Sequence, residues 1–344
     1  MVHRDEKRSI AVSPESAGQR LDQYLAQVFS CTRSQVRKAI EQGLVSVNSA
    51  PAQKAGKLVA AGDVIDWQES ESREIAHEDF SALKVIYEDK DLIVIDKPAG
   101  VLVHHGAGSR GQATLNGMLA AYLRSKNEKF EGYAPDAERI GIVHRIDKDT
   151  SGLLVCAKNY DVHQSLAHQF QSKTVLREYV AMLYGEMQDG EVLVENYIHR
   201  DSRNRTRFAC ASEEQRQGLM DGSHAPKMRF AKSSFQKKVG YGKFYSLVRV
   251  VIFTGRTHQI RVHAESIGHP VVGDQTYTRN RRLENKIPDL LKRAEADLGR
   301  QLLHAHILGF EHPVTKKKIA FKSDLPRDFE NFTNLLQSEF SSKD

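Results

Sequence analysis

The spacing of apolar residues near the start of the chain predicts a helical hairpin followed by short strands. The first helix presents an apolar face through residues spaced i, i+3, i+4, i+7 and i+8: Leu21, Tyr24, Leu25, Val28 and Phe29. The second is predicted to begin at Thr32, which has capping-box spacing to Gln35, and to end at Gly43. Strand-like runs follow at residues 44–48 and 63–67. Together these elements predict a compact helix-helix-strand unit.

The pattern changes beyond residue 67. Residues 68–81 are acidic, polar and aperiodic, which is typical of a linker. From residue 82 onwards, β-rich apolar runs are interleaved with helical patterns. The strand-like runs lie at residues 92–95, 153–157, 179–183 and 247–253, and the helical patterns at residues 115–123, 162–170 and 257–267. Because strands and helices do not alternate strictly, the sequence predicts an α+β fold with a mixed or antiparallel sheet, rather than a doubly wound one.

These patterns divide the chain into consecutive parts. They predict a flexible tail at residues 1–17, the small unit at 18–67, the acidic linker at 68–81, a large unit at 82–336 and a second tail at 337–344. Within the large unit, residues 198–229 contain few apolar side chains and many arginines. They are predicted to form a long excursion or a hairpin.

Composition and charge narrow the class of protein. The 344 residues are 40% hydrophobic and 27% charged, with a mean hydropathy of −0.50, as in folded soluble domains. No apolar run is long enough to span a membrane and no signal-peptide stretch follows the polar start, so a cytosolic location is expected. Cys31, Cys156 and Cys210 are too far apart to form a metal or redox pair, and they are predicted to be reduced.

A net charge of +6 favours a polyanionic partner only slightly. Between Cys31 and Lys57, however, basic residues far outnumber the single acidic residue, Glu41. The basic residues are Arg33, Arg37, Lys38, Lys54 and Lys57. Such a cluster is either a solvated basic face or a nucleic-acid contact, and charge alone leaves both interpretations open.

Several local motif matches do not hold up. Residues 106–111 spell G-x-G-x-x-G, but they lack the flanking strands of a dinucleotide site, so no nucleotide cofactor is expected. Residues 144–147 differ from a kinase catalytic loop because the aspartate does not directly follow the arginine. The histidine pairs lack zinc-site spacing and thiolate companions, so no metal is expected.

Residues 141–155 are more informative. Strand-like pieces flank a turn dense in Asp, Thr, Ser and Gly, and Asp147 stands where the first piece ends. A carboxylate at that place, Asp147 or Asp149, either caps the loop or carries out chemistry. From the residues alone, capping is favoured.

The same segment resembles the HRLDxxTSGLL motif of the RluA-type pseudouridine synthases, with Ile146 in place of the usual leucine. Further motifs of that family are matched by residues 96–100 with His104 (the KPxG entry strand), 177–181 (the tyrosine motif), 254–263 (GRTHQIR), 268–274, 303–305 and 312–313. Residues 18–67 resemble the small RNA-binding module named after ribosomal protein S-four. The composite is most similar to the RluD-like and RluC-like branches, which modify large-subunit ribosomal RNA.

The resemblance implies an enzyme that isomerises specific uridines in structured RNA without a cofactor or a metal. It makes Asp147 the carboxylate beside the ribose, either as a nucleophile or as a base. It makes Arg261 the countercharge of that carboxylate, although a surface helix arginine is the plain alternative. It places Tyr179 in the pocket, although ordinary core packing is the plain alternative.

The resemblance also implies RNA contacts. Arg145 resembles the family arginine that fills the place of a flipped uridine. The other residues predicted to contact RNA are Arg33, Arg37, Lys38, Lys54, Arg203, Arg205, Arg256 and His258. A monomer is the default expectation.

Other hypotheses remain. An enzyme that performs the same reaction on transfer RNA would differ only in the loops that select the RNA. The sequence of those loops does not reveal which RNA they bind. A non-catalytic RNA-binding or ribosome-assembly factor would be expected to lack Asp147, Tyr179 or Arg261, and all three are present. A nucleotide-dependent enzyme would have to bind its cofactor at residues 106–111.

Overall fold

The computed structural model describes residues 7–29, 33–68, 80–104, 113–126, 141–204, 206–220, 227–278 and 287–341. These residues form two β-sheets, one of four strands and one of ten. The smaller sheet belongs to the N-terminal unit and the larger one to the rest of the chain. The predicted Thr32 helix start and the G-x-G-x-x-G segment at residues 106–111 lie outside the described residues.

The N-terminal unit packs two helices against its sheet. The elements are β1 (Lys7–Ala11), α1 (Leu21–Val28), α2 (Arg33–Glu41), β2 (Val45–Val47), β3 (Ala50–Pro51) and β4 (Val64–Gln68). The strands are antiparallel, in the order β1-β4-β2-β3. Leu21 and Leu25 of the predicted apolar face are completely buried, together with Val36 and Ile65. Burial of this face against the sheet therefore holds the unit together.

The larger sheet is mixed, as predicted. Its strands are β5 (Lys84–Glu88), β6 (Leu92–Lys97), β7 (Ser151–Ala157), β8 (Leu176–Tyr184), β9 (Glu191–Arg200), β10 (Phe208–Ala211), β11 (Arg229–Tyr241), β12 (Tyr245–Ile252), β13 (Leu303–Glu311) and β14 (Lys318–Lys322). They lie in the order β10-β9-β11-β12-β8-β13-β7-β6-β5, with β14 paired to β13. Only the β13–β7 pair among these described strands is parallel. The α+β fold class is confirmed.

Six described helices accompany this sheet. They are α3 (Leu115–Ser125), α4 (Tyr160–Gln171), α5 (Glu213–Met220), α6 (Gln259–Ser266), α7 (Asp289–Ala296) and α8 (Arg327–Ser341). Helix α5 packs on β9 and β10 at one edge of the sheet. The side chains of Thr114 and Asn159 cap α3 and α4 by accepting hydrogen bonds from the third residue of each helix. Every residue of β7 is buried, which explains its unbroken apolar sequence.

The flexible tail predicted at residues 1–17 is corrected for the part that the structure describes. Residues 7–11 form β1, which pairs along its whole length with β4. Ile10 and Val12 pack on the small core. Two alternating apolar residues are too few to show a period, and the partner strand lies far along the chain, so local pattern could not reveal β1.

The tail predicted at residues 337–344 is also corrected. Helix α8 continues to Ser341, past the predicted domain end at 336. The Phe340 ring lies 6.1 Å from that of Phe244 and 6.5 Å from that of Tyr241, which anchors the last helical turn. The predicted linker at 68–81 falls mostly on residues 69–79, outside the described part. The remaining domain boundaries stay predictions.

One other segment differs from expectation. The strand-like piece before Asp147 is not a strand, and it joins the sheet through a bridge between Ile142 and Cys156. For residues 198–229, the hairpin alternative agrees with the structure: the segment includes the end of β9 and the antiparallel β10, and α5 follows. Among the described helices, none is long and apolar enough to cross a membrane.

The carboxylate of Asp22 ties α1 to α2. It is completely buried and accepts hydrogen bonds from the guanidinium groups of Arg20 and Arg33. The hydrogen bond from Arg20 is the main cause that lowers the pKa of Asp22 to about 2.

We expect Asp22→Asn to lower the free energy of unfolding by about 1–3 kcal/mol, because a buried acceptor of charged hydrogen bonds is lost. Glu41→Gln, on an exposed residue of α2, is the matched control. Urea unfolding at pH 7 measures both. Because a lowered aspartate pKa stabilises the fold above about pH 4 and less towards pH 2, the difference from wild type should shrink at low pH. Equal stabilities at pH 7 would contradict this role.

Candidate active site

A cavity of about 370 Å³ lies at the ends of β8, β12 and β13, beside the first turn of α6. Its charged lining residues are Arg145, Arg177, Arg256, Arg261 and Asp147. Four guanidinium groups and a single carboxylate therefore line the same cavity. Such an excess of positive charge favours an anionic ligand.

The loop that carries Asp147 is fixed at both ends. Its turn is closed by the Thr150 amide, which donates to the Asp147 carbonyl at 3.2 Å. At the following Gly152, φ is +114° and a Cβ atom would lie 2.3 Å from the Ala305 carbonyl oxygen. Only glycine therefore allows β7 and β13 to approach this closely. The Asp147 side chain is left 19% exposed, facing the cavity.

Lys97 supports the same loop from beneath. Its completely buried ammonium group donates to the carbonyls of Pro98, Val101 and Lys148 at 2.8–2.9 Å. Burial lowers the pKa of Lys97 to about 7, while the nearby carboxylates oppose that shift. The Gly100 amide also donates to the Lys148 carbonyl. Residues 97–101 and the Asp147 loop are thus joined into one hydrogen-bonded unit.

Arg261 is held between two carboxylates. Its Nε and Nη2 atoms donate to both oxygens of Asp274, at 2.6 and 2.9 Å. Its Nη1 atom donates to Asp147 Oδ2 at 3.0 Å. Asp274 is completely buried and also accepts from the backbone amides of Thr276 and Tyr277. Burial disfavours the Arg261 cation, but the carboxylates outweigh it and raise the pKa of Arg261. Asp147 therefore faces a permanent, fixed positive charge.

Tyr179 stands on β8 between β13 and β12, opposite Ala305 and Val250. It is 7% exposed and lines the cavity. Burial raises the pKa of Tyr179 to about 12. The phenol is therefore protonated at neutral pH, and the ring offers a flat apolar wall beside Asp147.

His258 adopts a left-handed backbone conformation, with φ of +57°, immediately before α6. Its Nδ1 atom lies 3.0 Å from the Tyr277 hydroxyl, which also accepts from the Phe208 amide. Burial lowers the pKa of His258, so the ring is neutral at pH 7. The Tyr277 ring in turn packs under the Arg261 guanidinium, with 5.1 Å between them.

Gln259 fixes the loop before α6. Its amide oxygen accepts from the Thr254 hydroxyl and the Arg256 amide, and its nitrogen donates to the Lys232 carbonyl and the Ser233 hydroxyl. This one side chain therefore anchors the loop to β11. Within the described part of the chain, the Arg256 side chain makes one hydrogen bond, from Nε to the Phe230 carbonyl.

The structure thus brings Asp147, Tyr179 and Arg261 together, with Arg256 and His258 in the same wall. Arg145 is exposed at the cavity, and one of its terminal nitrogens lies 3.5 Å from His104 Nε2. Lys97, Gln259, Asp274 and Tyr277 support the site but were given no role from the sequence. Each lies in or beside a motif matched by the resemblance, which is the one signal that could have found them.

The other predicted RNA contacts lie elsewhere. Arg33 is engaged by Asp22, so its charge is partly neutralised. Arg37, Lys54 and Arg203 are exposed. Arg205 and the side chain of Lys38 lie outside the described residues.

One group in the described part of the chain has metal-like spacing: Asp89, Asp91 and His312. The ligand atoms of His312 and Asp89 already have hydrogen-bond partners. His312 Nδ1 accepts from the amides of Val314 and Thr315, and its Nε2 atom donates to Asp89 at 2.8 Å. The Asp89 carboxylate also accepts from the Tyr87 hydroxyl. This arrangement is that of a loop clamp.

Comparison with known proteins agrees with this fold. The model of the RNA pseudouridylate synthase family matches residues 91–266, and that of the S4 domain matches residues 19–65. The chain is 34% identical to the ribosomal large subunit pseudouridine synthase D of Vibrio cholerae, over 98% of this chain and 97% of that protein. It is also 34% identical to the uncharacterized RNA pseudouridine synthase YlyB of Bacillus subtilis, over 93% of this chain and 94% of that one.

Among solved structures, the human RNA pseudouridylate synthase domain containing 4 superposes with a TM-score of 0.54 at 22% identity, covering 74% of this chain and 93% of that one. That similarity concerns the fold. An RNA-modifying isomerase is the class defined by this combination of a mixed sheet, an S4 domain and the matched family model. The chain belongs to the RNA pseudouridylate synthase family.

We expect Lys97→Met to loosen the Asp147 loop, because three backbone carbonyls lose their shared donor. Hydrogen exchange of the Gly100 and Thr150 amides should quicken roughly tenfold, while exchange within β6 changes little. Lys84→Met removes an exposed lysine of the neighbouring strand and is the control. Unchanged protection at both amides would rule out the supporting role of Lys97.

Proposed function

We propose that the cavity isomerises specific uridines of large-subunit ribosomal RNA to pseudouridine, with Asp147 as the catalytic carboxylate. The observation that carries this proposal is the Arg261–Asp147 pair at 3.0 Å in a cavity walled by Tyr179. A carboxylate that must stay ionised in a site from which a nucleotide expels water needs such a fixed cation. If Asp147 only capped its loop, its side chain would instead accept hydrogen bonds from the backbone of that loop.

The reaction breaks the bond between ribose C1′ and uracil N1 and joins C1′ to C5 of the same ring. Asp147 either attacks C1′, so that the electron pair of the broken bond passes to N1, or removes a ribose proton so that the base is eliminated. In both routes the base then turns and C5 bonds to C1′. In the first route the Asp147–C1′ ester bond breaks as this bond forms, and in the second the proton taken from the ribose returns to the sugar. C5 then loses its proton while N1 gains one. Atoms and electrons balance without a redox partner, so neither cofactor nor metal is part of the proposal.

Tyr179 and Arg261 act around that carboxylate. The protonated Tyr179 provides a ring face against which uracil stacks, and a hydroxyl that assists proton transfer. Arg261 keeps Asp147 ionised and oriented. Asp274 holds the Arg261 guanidinium in place, so that it does not move if Asp147 moves. Arg261 is therefore a positioning cation in this proposal.

The substrate is inferred from relatives. Proteins named ribosomal large subunit pseudouridine synthase D match at 33–35% identity across nearly the whole chain. The S4 domain supports RNA binding, and exposed Arg37 and Lys54 are its candidate contacts. Arg145, exposed beside the cavity, would fill the stack that the flipped uridine leaves. The names of these relatives refer to the large ribosomal subunit and to a synthase, rather than to transfer RNA or a non-catalytic factor.

We further propose that the protein acts as a monomer, without a metal, in the cytosol. Independence of metal follows from the expected chemistry and the location from the expected substrate, whereas the monomer is the default expectation. Size-exclusion chromatography, activity after chelator treatment and cell fractionation test them separately.

Pseudouridine mapping of total RNA tests the function directly. Sites should disappear in cells that lack the protein, return with the wild type, and stay absent with Asp147→Asn, whose rate should fall on the order of 10³-fold or more. Asp149→Asn, in the same loop, is the control and should restore the sites. If no large-subunit site depends on the protein, the substrate is wrong; if Asp147→Asn restores every site, the assigned carboxylate is wrong.

Asp274→Asn tests the support of Arg261. The amide cannot accept two charged hydrogen bonds, so Arg261 loses its fixed orientation. The single-turnover rate should fall about 10–100-fold while RNA affinity changes little. Asp328→Asn, which frees Arg300 from a similar pair, is the control and should leave the rate near that of wild type. A loss of affinity without a loss of rate would contradict this role.

A further inference from the structure

A second guanidinium in the cavity wall has no assigned task. Arg177 lies on β8, two residues before Tyr179, and is only 7% exposed. Its Nε atom is sealed from solvent without a hydrogen-bond partner. Among the described residues, no carboxylate lies within ion-pair distance of it, and its guanidinium carbon lies 5.7 Å from the centre of the Phe170 ring. A buried cation in this state is costly to the folded protein.

The backbone is shaped around this group. A Cβ atom at Gly255 would lie 2.8 Å from Arg177 Nη1, so the loop before Arg256 passes directly over the guanidinium. Gly255 and Arg256 both line the cavity. A glycine at position 255 therefore lets the loop pass close to a guanidinium group that no described side chain neutralises.

Arg256, like Arg177, has no carboxylate partner among the described residues. Burial and the nearby Arg229 lower the pKa of Arg256, and Arg256 in turn disfavours the charge on Arg177. Other arginines with similar burial are compensated: Arg300 pairs with Asp328, and Arg261 with Asp274. Two uncompensated guanidinium groups that repel one another across a cavity wall form a site for a shared anion.

The position of the pair selects the anion. Asp147 faces Arg261, and that side of the cavity must hold the ribose carbon where the bond changes. Arg177 instead lies near the start of β8, where the backbone of Gly255, the residue before Arg256, packs against its Nη1 atom. A phosphodiester has two non-bridging oxygens, which match two converging guanidinium groups, and every RNA nucleotide carries one.

We propose that Arg177, together with Arg256, binds one backbone phosphate of the RNA beside the target uridine. This inference rests on the proposed function, in which the cavity holds that nucleotide. The phosphate contact fixes the depth to which the flipped nucleotide enters, and so sets the distance between its sugar and Asp147. Arg177 is then a substrate-binding residue whose charge is compensated only in the complex.

A short RNA containing a uridine identified by the mapping experiment tests the proposal. Binding is measured at several salt concentrations, in an Asp147→Asn background so that no product forms. Arg177→Met, which keeps an unbranched apolar side chain, should weaken binding about tenfold and reduce the slope of log Kd against log salt by about 1. Arg177→Lys should retain the slope. Arg249→Met, on the neighbouring strand and outside the cavity lining, is the matched control and should bind like its parent.

Methylphosphonate linkages identify the phosphate. Placed one at a time around the target uridine, neutral linkages should weaken binding to the parent protein at several positions. At one of these positions, the neutral linkage should not weaken binding to Arg177→Met any further than the substitution itself does. At the other positions, the neutral linkage should weaken binding to Arg177→Met as it does for the parent protein. A variant that is simply misfolded would lose affinity for every RNA alike.

Thermal unfolding of the free proteins separates a binding role from a structural one. Because Arg177 is an unpaired buried cation, Arg177→Met should melt at the same temperature as its parent or higher. A structural arginine would give a lower melting temperature.

Two outcomes would overturn the proposal. In the first, Arg177→Met keeps both the affinity and the salt slope, but it lowers the single-turnover rate of the protein that retains Asp147. That result would mean that Arg177 stabilises negative charge developing on the uracil ring. In the second, it loses affinity equally at all linkages. Failure of the synthase assignment would instead appear as no dependence of any pseudouridine on Asp147, so the two failures are distinguishable.

Discussion

The sharing of one guanidinium between two carboxylates is the interaction on which the site depends. Asp274 has no contact with solvent and uses both oxygens on Arg261, which leaves a single guanidinium nitrogen for Asp147. This arrangement holds only if the start of α6 and the Asp147 loop are fixed independently. Gln259 fixes the first through β11, and Lys97 fixes the second through backbone carbonyls. The central strands therefore serve as a frame for one ion pair.

Several arginines outside the cavity are paired with carboxylates, whereas positive charge is in excess among the residues that line the cavity. Arg33 and Arg300 each meet a carboxylate, and their pairs tie one element to another. Around the cavity, cations exceed carboxylates, and Arg177 is buried among apolar and aromatic neighbours. A protein accepts such a cost where a ligand relieves it, since stability and function are selected together. The cavity is therefore organised for a polyanion before any RNA is present.

Much of the fold was predictable because its core elements carry strong local patterns. The face of α1 and the apolar run of β7 are read directly from spacing. β1 and the end of α8 were missed because each is stabilised by partners distant in sequence: Ile65 and its neighbours for β1, Tyr241 for Phe340. At the site, Asp147, Tyr179 and Arg261 were predicted through motif resemblance. Asp274 and Lys97 act through other residues, and such support has no local signature.

The parallel pairing of β13 with β7 has a consequence for how the molecule is made. β13 lies between β8 and β7, and it joins Ala305 to Gly152, next to the Asp147 loop. Proteins are synthesised from the N-terminus, and contacts between distant segments must wait for the later segment to emerge. A nascent chain can complete its N-terminal RNA-binding unit long before β13 exists. Binding competence therefore precedes catalytic competence during synthesis, so an unfinished chain can engage RNA without an assembled centre.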